Sequence, residues 1–332
     1  MVQGRAAEIR EMRTHLSNVS PTYDVIIVGG GPAGLSAALM LGRCRRTVLV
    51  CDSGRYRNAA SAGVHGFLSR DGMKPLDLIR VAREQLRPYE VKIRPAVVKS
   101  VTPRGSGFRI VLESGERMEC RRVLLATGVV DQVPAIEGIE PLYGKSVHHC
   151  PYCDAWEHRD QPIAAYGKGR PAMGLAMSLK TWSRDVVLLT NGPTRLSPNQ
   201  RSELAALEIP VRAGRIARLE GKGGDLQRIV FKNGDALARR AIFFNTGQHQ
   251  RCGLASELGC TFTKRGAIRV DKSERTRAPG VFAAGDCSRN VQFVAVAAAE
   301  GAVAAQAINV ELQEEDRQRF LASTRRPSRR RA

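Results

Sequence analysis

The chain has 332 residues, enough at about 100–200 residues per domain for two domains that bury their cores without disulfide or metal staples. Hydrophobic residues make up 43% and charged residues 25%, and no apolar run reaches the roughly 18 residues of a membrane span, so a soluble globular protein is expected and a membrane span excluded. The net charge of +20 leaves contact with acidic surfaces open, while eight scattered cysteines are too few for a disulfide scaffold and point to a reducing, cytoplasmic setting.

Met1–Pro21 carries charges throughout and no apolar stretch. It reads as a disordered extension, neither secretion signal nor anchor. Tyr23–Val28 is an apolar, β-branched run expected as a buried parallel strand. Gly29-Gly30-Gly31-Pro32-Ala33-Gly34 follows at once, then a small-residue helix over Leu35–Gly42 and a second strand, Thr47–Cys51, ending at Asp52. This is the pattern of a dinucleotide site. Gly29 permits the tight turn, Gly31 lets a pyrophosphate approach the backbone, and Gly34 lets the helix pack close to the sheet. The helix N-terminus offers unpaired N–H groups and a positive dipole end. Asp52 stands 23 residues past Gly29, where a carboxylate can hold ribose hydroxyls. A further apolar run, Val123–Leu125, closes on Ala126-Thr127-Gly128.

Next comes His148-His149-Cys150-Pro151-Tyr152-Cys153-Asp154. Cysteines at this spacing can close a small disulfide and exchange it through a mixed disulfide, with Asp154 placed to pass a proton to or from a thiol. Zinc binding, a glutaredoxin-like module and an inert pair are competing readings. Adjacent histidines suit one tetrahedral centre poorly and no second pair follows, so no metal is expected. The motif lies between two nucleotide-binding turns rather than on a small thioredoxin fold. The other six cysteines read as structural.

The second turn copies the first at a distance of 138 residues. Strand Ile163–Tyr166 leads into Gly167-Lys168-Gly169-Arg170-Pro171-Ala172, a helix over Met173–Trp182 and a strand over Val186–Leu189. G-x-G-x-x-A is a variant often seen for nicotinamide dinucleotides. However, Thr190 occupies the acid's position, and the first arginine after it is Arg195. A Rossmann-type domain that keeps its shape but binds nicotinamide weakly is therefore a second reading. Ala241–Phe244 ends at Asn245-Thr246-Gly247, and Pro279–Ala284 ends at Gly285-Asp286, with the acid at a strand mouth where ligands of open α/β sheets collect. A small-residue helix from about Phe293 to Ile308 follows. From Arg317 onward there are seven arginines and no acid, which reads as a disordered, solubilising tail; with no recognisable nucleic-acid module, nucleic-acid binding is not expected.

Taken in order, these motifs resemble the low-molecular-weight thioredoxin reductase family, over roughly Tyr23 to Leu312. The resemblance implies an α/β fold of two Rossmann-like three-layer dinucleotide-binding domains, the second inserted in the first. Residues 22–134 and 248–313 would bind FAD, 135–247 would bind NADPH and carry the cysteine pair, 314–332 would be the disordered tail, and the chain would be a homodimer. Flavin contacts are implied for Gly29, Gly31, Pro32, Ala33, Gly34, Asp52, Ser53, Arg57, Asn58, His65, Val98, Thr127, Gly128, Gly285, Asp286, Gln292 and Phe293. Nicotinamide contacts are implied for Gly167, Gly169 and Ala172. Cys153 would lie against the flavin, Cys150 would attack the partner disulfide and Asp154 would protonate the leaving thiolate. Electrons would run from NADPH through FAD and Cys150–Cys153 to thioredoxin or a similar disulfide.

Four features depart from that pattern. The basic pair for the 2′-phosphate is missing after Leu189, and Phe293-Val294-Ala295 replaces the expected Arg-Gln-Ala. The active pair is Cys-Pro-Tyr-Cys behind His148-His149, and Arg57–Phe67 differs as well. These features are similar to flavin-dependent dithiol oxidases, which close disulfides in small natural products and return electrons to oxygen. There His149 or His148 would serve as base, though both suit ordinary loop positions equally. A reductase fed by another donor and a non-enzymatic redox sensor are the remaining alternatives.

Overall fold

The computed structural model describes residues 22–324. The expected N-terminal extension, residues 1–21, and the last eight residues of the basic tail lie outside the described residues. Strand β1 (Thr22–Val28) leads into helix α1 (Pro32–Arg43), followed by β2 (Val48–Asp52), α2 (Pro75–Gln85), β3 (Val91–Pro95), β4 (Val98–Arg104), β5 (Gly107–Leu112) and β6 (Arg117–Leu125). The strands run β3-β2-β1-β6 in parallel, and β5 and β4 continue antiparallel beyond β6. Both faces are covered, which is why β1 and β2 read as continuous apolar runs. Val25, Ile27, Val48 and Val50 pack toward α1, while Ile26, Leu49 and Val123 pack toward the β4–β5 layer.

The chain then forms β7 (Val129–Asp131), β8 (Val147–His148), the single-turn α3 (Pro151–Asp154), β9 (Ile163–Tyr166), α4 (Gly169–Leu179), β10 (Val186–Leu189), α5 (Pro198–Ala206) and β11 (Val211–Arg212). A three-stranded antiparallel layer of β12 (Ile216–Lys222), β13 (Asp225–Phe231) and β14 (Ala236–Ala238) precedes β15 (Ala241–Phe244). The second sheet is parallel, in the order β11-β10-β9-β15-β8. One face packs on α4 and α5 through Ile163, Ala165 and Phe243; the other packs on β12–β13 through Ala164, Val187 and Phe244. Strand β16 (Gln248–Gln250) pairs antiparallel with β7, so the two crossings between the sheets form one ribbon. After α6 (Leu254–Glu257), β17 (Val281–Ala283) returns to the first sheet beside β6, and α7 (Val294–Thr324) closes the described chain. The expected pair of dinucleotide-binding folds, one sheet inserted within the other's sequence, is what the topology contains.

Two expectations need correction. Helices α1 and α4 begin at Pro32 and Gly169, earlier than Leu35 and Met173. Proline in a first turn gives up an N–H that has no intrahelical partner anyway, so Pro32 and Pro171 belong to the helices rather than to the turns. The second correction concerns the tail. Helix α7 runs unbroken to Thr324, well past Ile308, so residues 314–324 are helical and not disordered. The acids just before the arginines explain this. Asp316 lies 2.7 Å from Arg46 and 2.6 Å from Arg121, and Glu311 lies 2.9 Å from Arg122. Leu312 is fully buried beneath them.

Helices α1 and α7 cross where Gly301 meets the Ala33 backbone, and a Cβ at Gly301 would run into the Ala33 carbonyl. Gly301→Val is expected to cost about 1–3 kcal/mol through forced separation of the helices. Urea unfolding measures it, and an unchanged midpoint would contradict the close crossing.

Candidate functional site

The first glycine turn opens on a cavity. Gly29 takes φ +115°, a conformation that favours glycine, and its N–H donates to the Cys51 carbonyl at 2.8 Å. That bond folds the chain tightly and leaves Gly31 as the N-cap of α1, facing open space. The empty space between the cavity's walls, open mouth included, is about 1300 Å³. Gly29, Gly31, Pro32, Ala33, Asp52, Ser53, Arg57, Asn58, His65, Thr127, Gly128, Gly285, Asp286, Gln292 and Phe293 all line it. Gly34 stands behind the turn, against the Gly29 carbonyl, and the Val98 side chain packs in the core with Val101. Asp52 is already engaged: Oδ2 accepts from Tyr56 Oη (2.6 Å) and Arg83 (2.5 Å), and Oδ1 accepts from the Gly54 amide (2.9 Å). An open glycine cradle at a positive helix end, on the wall of this cavity, fits a dinucleotide such as FAD.

Arg57 is the best-connected side chain of the site. It grips Asp131 with two parallel bonds, 2.8 and 2.6 Å, and reaches Asp286 (2.9 Å), Gln292 (2.6 Å) and Gln248 (3.1 Å). Burial would weaken its charge, but the bonds and charges of Asp131 and Asp286 more than offset that and hold its pKa above the ordinary value. Burial likewise pushes the Asp131 carboxyl up, but the Arg57 bonds and the neighbouring positive charges leave it below its usual range. Tyr143 Oη donates to Asp131 at 3.3 Å. Asp131, Tyr143 and Gln248 were not expected from the sequence. They come from the segments joining the two sheets, and no local pattern marks them.

Strand β8 delivers the cysteine pair to the same cavity. Cys150 caps α3 and its sulfur accepts from the Cys153 amide at 3.2 Å. The two cysteines are joined in a disulfide. Cys153 and Asp154 line the cavity and Cys150 does not, so the two sulfurs face different surroundings. The adjacent histidines part company. Both line the cavity, but His149 places Nδ1 3.6 Å from Asp131, whereas His148 is buried with Nδ1 3.4 Å from Asp154. Burial, and then the Arg57 charge, lower the His149 pKa, so its ring is neutral near pH 7 and free to take a proton. No group of three metal-ligating side chains gathers among the described residues. Burial pushes the thiols of Cys51, Cys120 and Cys287 up to about 12, which leaves them inert at neutral pH.

Comparison with known proteins follows this geometry. Residues 23–301 match the pyridine nucleotide-disulphide oxidoreductase family. The chain belongs to that family. Within it, the chain resembles the thioredoxin reductases. Thioredoxin reductase tcpT of Claviceps purpurea is 32% identical, covering 89% of this chain and 96% of its own. Among solved structures, HlmI superposes with a TM-score of 0.86 at 36% identity, covering 91% and 96%. An oxidoreductase from Agrobacterium tumefaciens gives 0.82 at 32%, covering 88% and 99%. Membership of this oxidoreductase family implies FAD and NAD(P)H binding in general terms. Among the described residues no helix is long and apolar enough to cross a membrane.

The second cradle of this pyridine nucleotide-disulphide oxidoreductase begins like the first. Gly167 donates to Leu189 O at 3.0 Å, as Gly29 does to Cys51 O, and Ala172 packs against it. Gly169 then diverges from Gly31. Its amide donates to the Thr194 carbonyl at 3.0 Å, and Arg195 packs on it. The covering segment is held by its own bonds: Thr190 Oγ1 donates to Gly192 O (2.7 Å), and Asn191 Oδ1 accepts from the Ile216 amide (2.8 Å).

Arg57→Ala leaves Asp131 buried without its cation, at an expected cost of about 3–5 kcal/mol. The sign of its pH dependence follows from the lowered carboxyl. The pair stabilises above the unfolded carboxylate pKa of about 3.9 and loses that contribution as pH falls through the lower folded value. Denaturant unfolding between pH 7 and pH 2 should show the wild type converging on the variant in acid; parallel curves would contradict the pairing.

Proposed function

We propose that this protein is a flavin-dependent thiol–disulfide oxidoreductase that oxidises a small dithiol and returns the electrons to oxygen. FAD would fill the cavity, with its pyrophosphate on the Gly29–Gly34 turn, in a domain made of residues 22–134 and 248–313. The observation that carries the direction is the contrast between the two cradles. The Gly31 side is open, while the Gly169 amide, a donor that a nicotinamide pyrophosphate would use, is bonded to Thr194 of the same chain. Thr190 in place of an acid and the absence of a basic pair after Leu189 support the same reading.

The chain's own residues suffice for the thiol steps. A substrate thiolate attacks Cys150, the sulfur outside the cavity lining, and Cys153 leaves as a thiolate toward the cavity. The second substrate thiolate then attacks the sulfur bonded to Cys150, so the product disulfide closes and Cys150 leaves as a thiolate that takes back one of the substrate's protons to become a thiol. Two protons leave the substrate, and Asp154 and the neutral His149 stand within the same cavity to take them. FAD, when bound, supplies the two-electron acceptor that restores Cys150–Cys153 and passes the electrons to oxygen as peroxide. The names of its thioredoxin reductase relatives favour one other reading, in which NADPH drives electrons outward to a thioredoxin-type partner.

Anaerobic stopped-flow separates the two. Mixing the flavin-loaded protein with dithiothreitol should bleach the flavin band quickly, mixing with NADPH should not, and air should then yield peroxide. Fast bleaching by NADPH would restore the reductase reading. In the same assay Cys150→Ser should keep its flavin and lose turnover, and full turnover by that variant would mean the pair is misassigned.

A further inference from the structure

His148 borders the cavity, and its ring also meets a third histidine. Its Nδ1 lies 3.4 Å from Asp154, and its Nε2 lies 3.1 Å from His158 Nε2 and 3.0 Å from the Lys145 carbonyl. The His148 ring is 4% exposed and stacks on Phe243 of β15. His158 is half-buried, at the end of the short turn Trp156–His158 that follows α3, and it does not line the cavity. Asp154, His148 and His158 therefore form a file: Asp154 and the buried His148 stand on the cavity wall with Cys153, and the half-buried His158 lies behind them, off the cavity.

The chemistry of such a file is restricted. Two imidazole nitrogens 3.1 Å apart can share a single proton, one ring donating while the other accepts. When His148 takes a proton at Nδ1 from Asp154, it can release one at Nε2, and only His158 or the Lys145 carbonyl is there to meet it. A carbonyl cannot carry a proton onward. His158 can, because it is a second imidazole on a residue that is only half-buried. A structural histidine pair in a core would need no acid at one end and no water at the other.

We propose that His148 and His158 are a proton wire that carries protons from Asp154, on the disulfide side, out to solvent. This rests on the dithiol-oxidising reading for its direction; a reductase would use the same file inward. Oxidation of a dithiol frees two protons; one goes to Cys150, which ends as a thiol, and the file gives the other an exit to solvent behind the disulfide turn, from which peroxide formation later draws it back. The charged and titratable groups around the file are few. Asp154 and His158 face His148; His148 and Asp154 act on His158; Glu157 on the same turn points to His65 at 3.6 Å; and His149 faces Asp131 instead. His158 touches neither the disulfide nor the cavity, so it is a positioning and relay residue rather than a catalytic one.

Two measurements test this, and the first does not depend on the direction of electron flow. Ring-proton NMR titration of the full-length oxidised protein should show the His158 midpoint moving when its neighbour is changed in His148→Gln. A His158 midpoint unmoved in that variant would overturn the wire. The second is the anaerobic reaction with dithiothreitol at low buffer concentration. His158→Ala should slow flavin bleaching on the order of tenfold, less than the ~10²–10⁴ of a direct acid–base group, and free imidazole should restore the rate. A slowed variant that imidazole does not rescue, or one with the wild-type rate and pH profile, would overturn the wire. If the wild type itself fails to react with dithiothreitol, the dithiol-oxidising function falls, while the titration still judges the wire.

Discussion

Arg57 is the point on which the site's geometry converges. One guanidinium joins the loop after β2 to Asp131 on β7, Gln248 on β16, Asp286 beyond β17 and Gln292 before α7. Those segments come from both halves of the first sheet's sequence and from the ribbon that connects it to the second sheet. A lysine would not serve, since only a planar fork can hold Asp131 with two bonds and still reach three further acceptors. The pair is buried, and its favourable geometry must offset a large desolvation cost. Its value therefore lies less in net stability than in fixing where the walls of one cavity stand relative to each other.

The two glycine turns show how little sequence separates a binding cradle from a structural one. Both begin with a glycine whose amide bonds back to the next strand, and both place a proline in the first helical turn. The difference arises downstream. After β2 the chain turns away and leaves Gly31 facing space; after β10 the segment from Thr190 to Arg195 folds back over Gly169. An amide that bonds to its own chain cannot also hold a phosphate without breaking that bond. The helix dipole is present in both cases, but access to it is not.

Much of this was legible in the sequence because the chemistry there is local. Ile163–Tyr166 and Val186–Leu189 are strands residue for residue, since strands covered on both faces must be apolar at every position. The glycine turns and the cysteine pair follow from spacing alone. The extent of α7 did not, because Glu311, Glu315 and Asp316 find their partners Arg46, Arg121 and Arg122 far back in the chain. Asp131 was hidden for the same reason: its partner Arg57 is 74 residues away, and no periodicity connects them. His158 was equally silent, since a ring that meets another ring across a turn leaves no mark on composition.

The distribution of thiols follows from the same burial that builds the cores. Cys51 and Cys120 sit within the first sheet and Cys287 lies beneath the Gly285–Asp286 turn; each is held protonated by desolvation. A protonated, enclosed thiol neither attacks a disulfide nor reaches a flavin. The chain therefore carries eight cysteines but presents only one pair with a sulfur on the cavity wall. That pair occupies a single helical turn at the end of a two-residue strand, outside any hydrophobic core, where its bond can open without disturbing the packing of either sheet. Burial thus silences Cys51, Cys120 and Cys287, and the redox turn keeps the freedom that exchange with a partner requires.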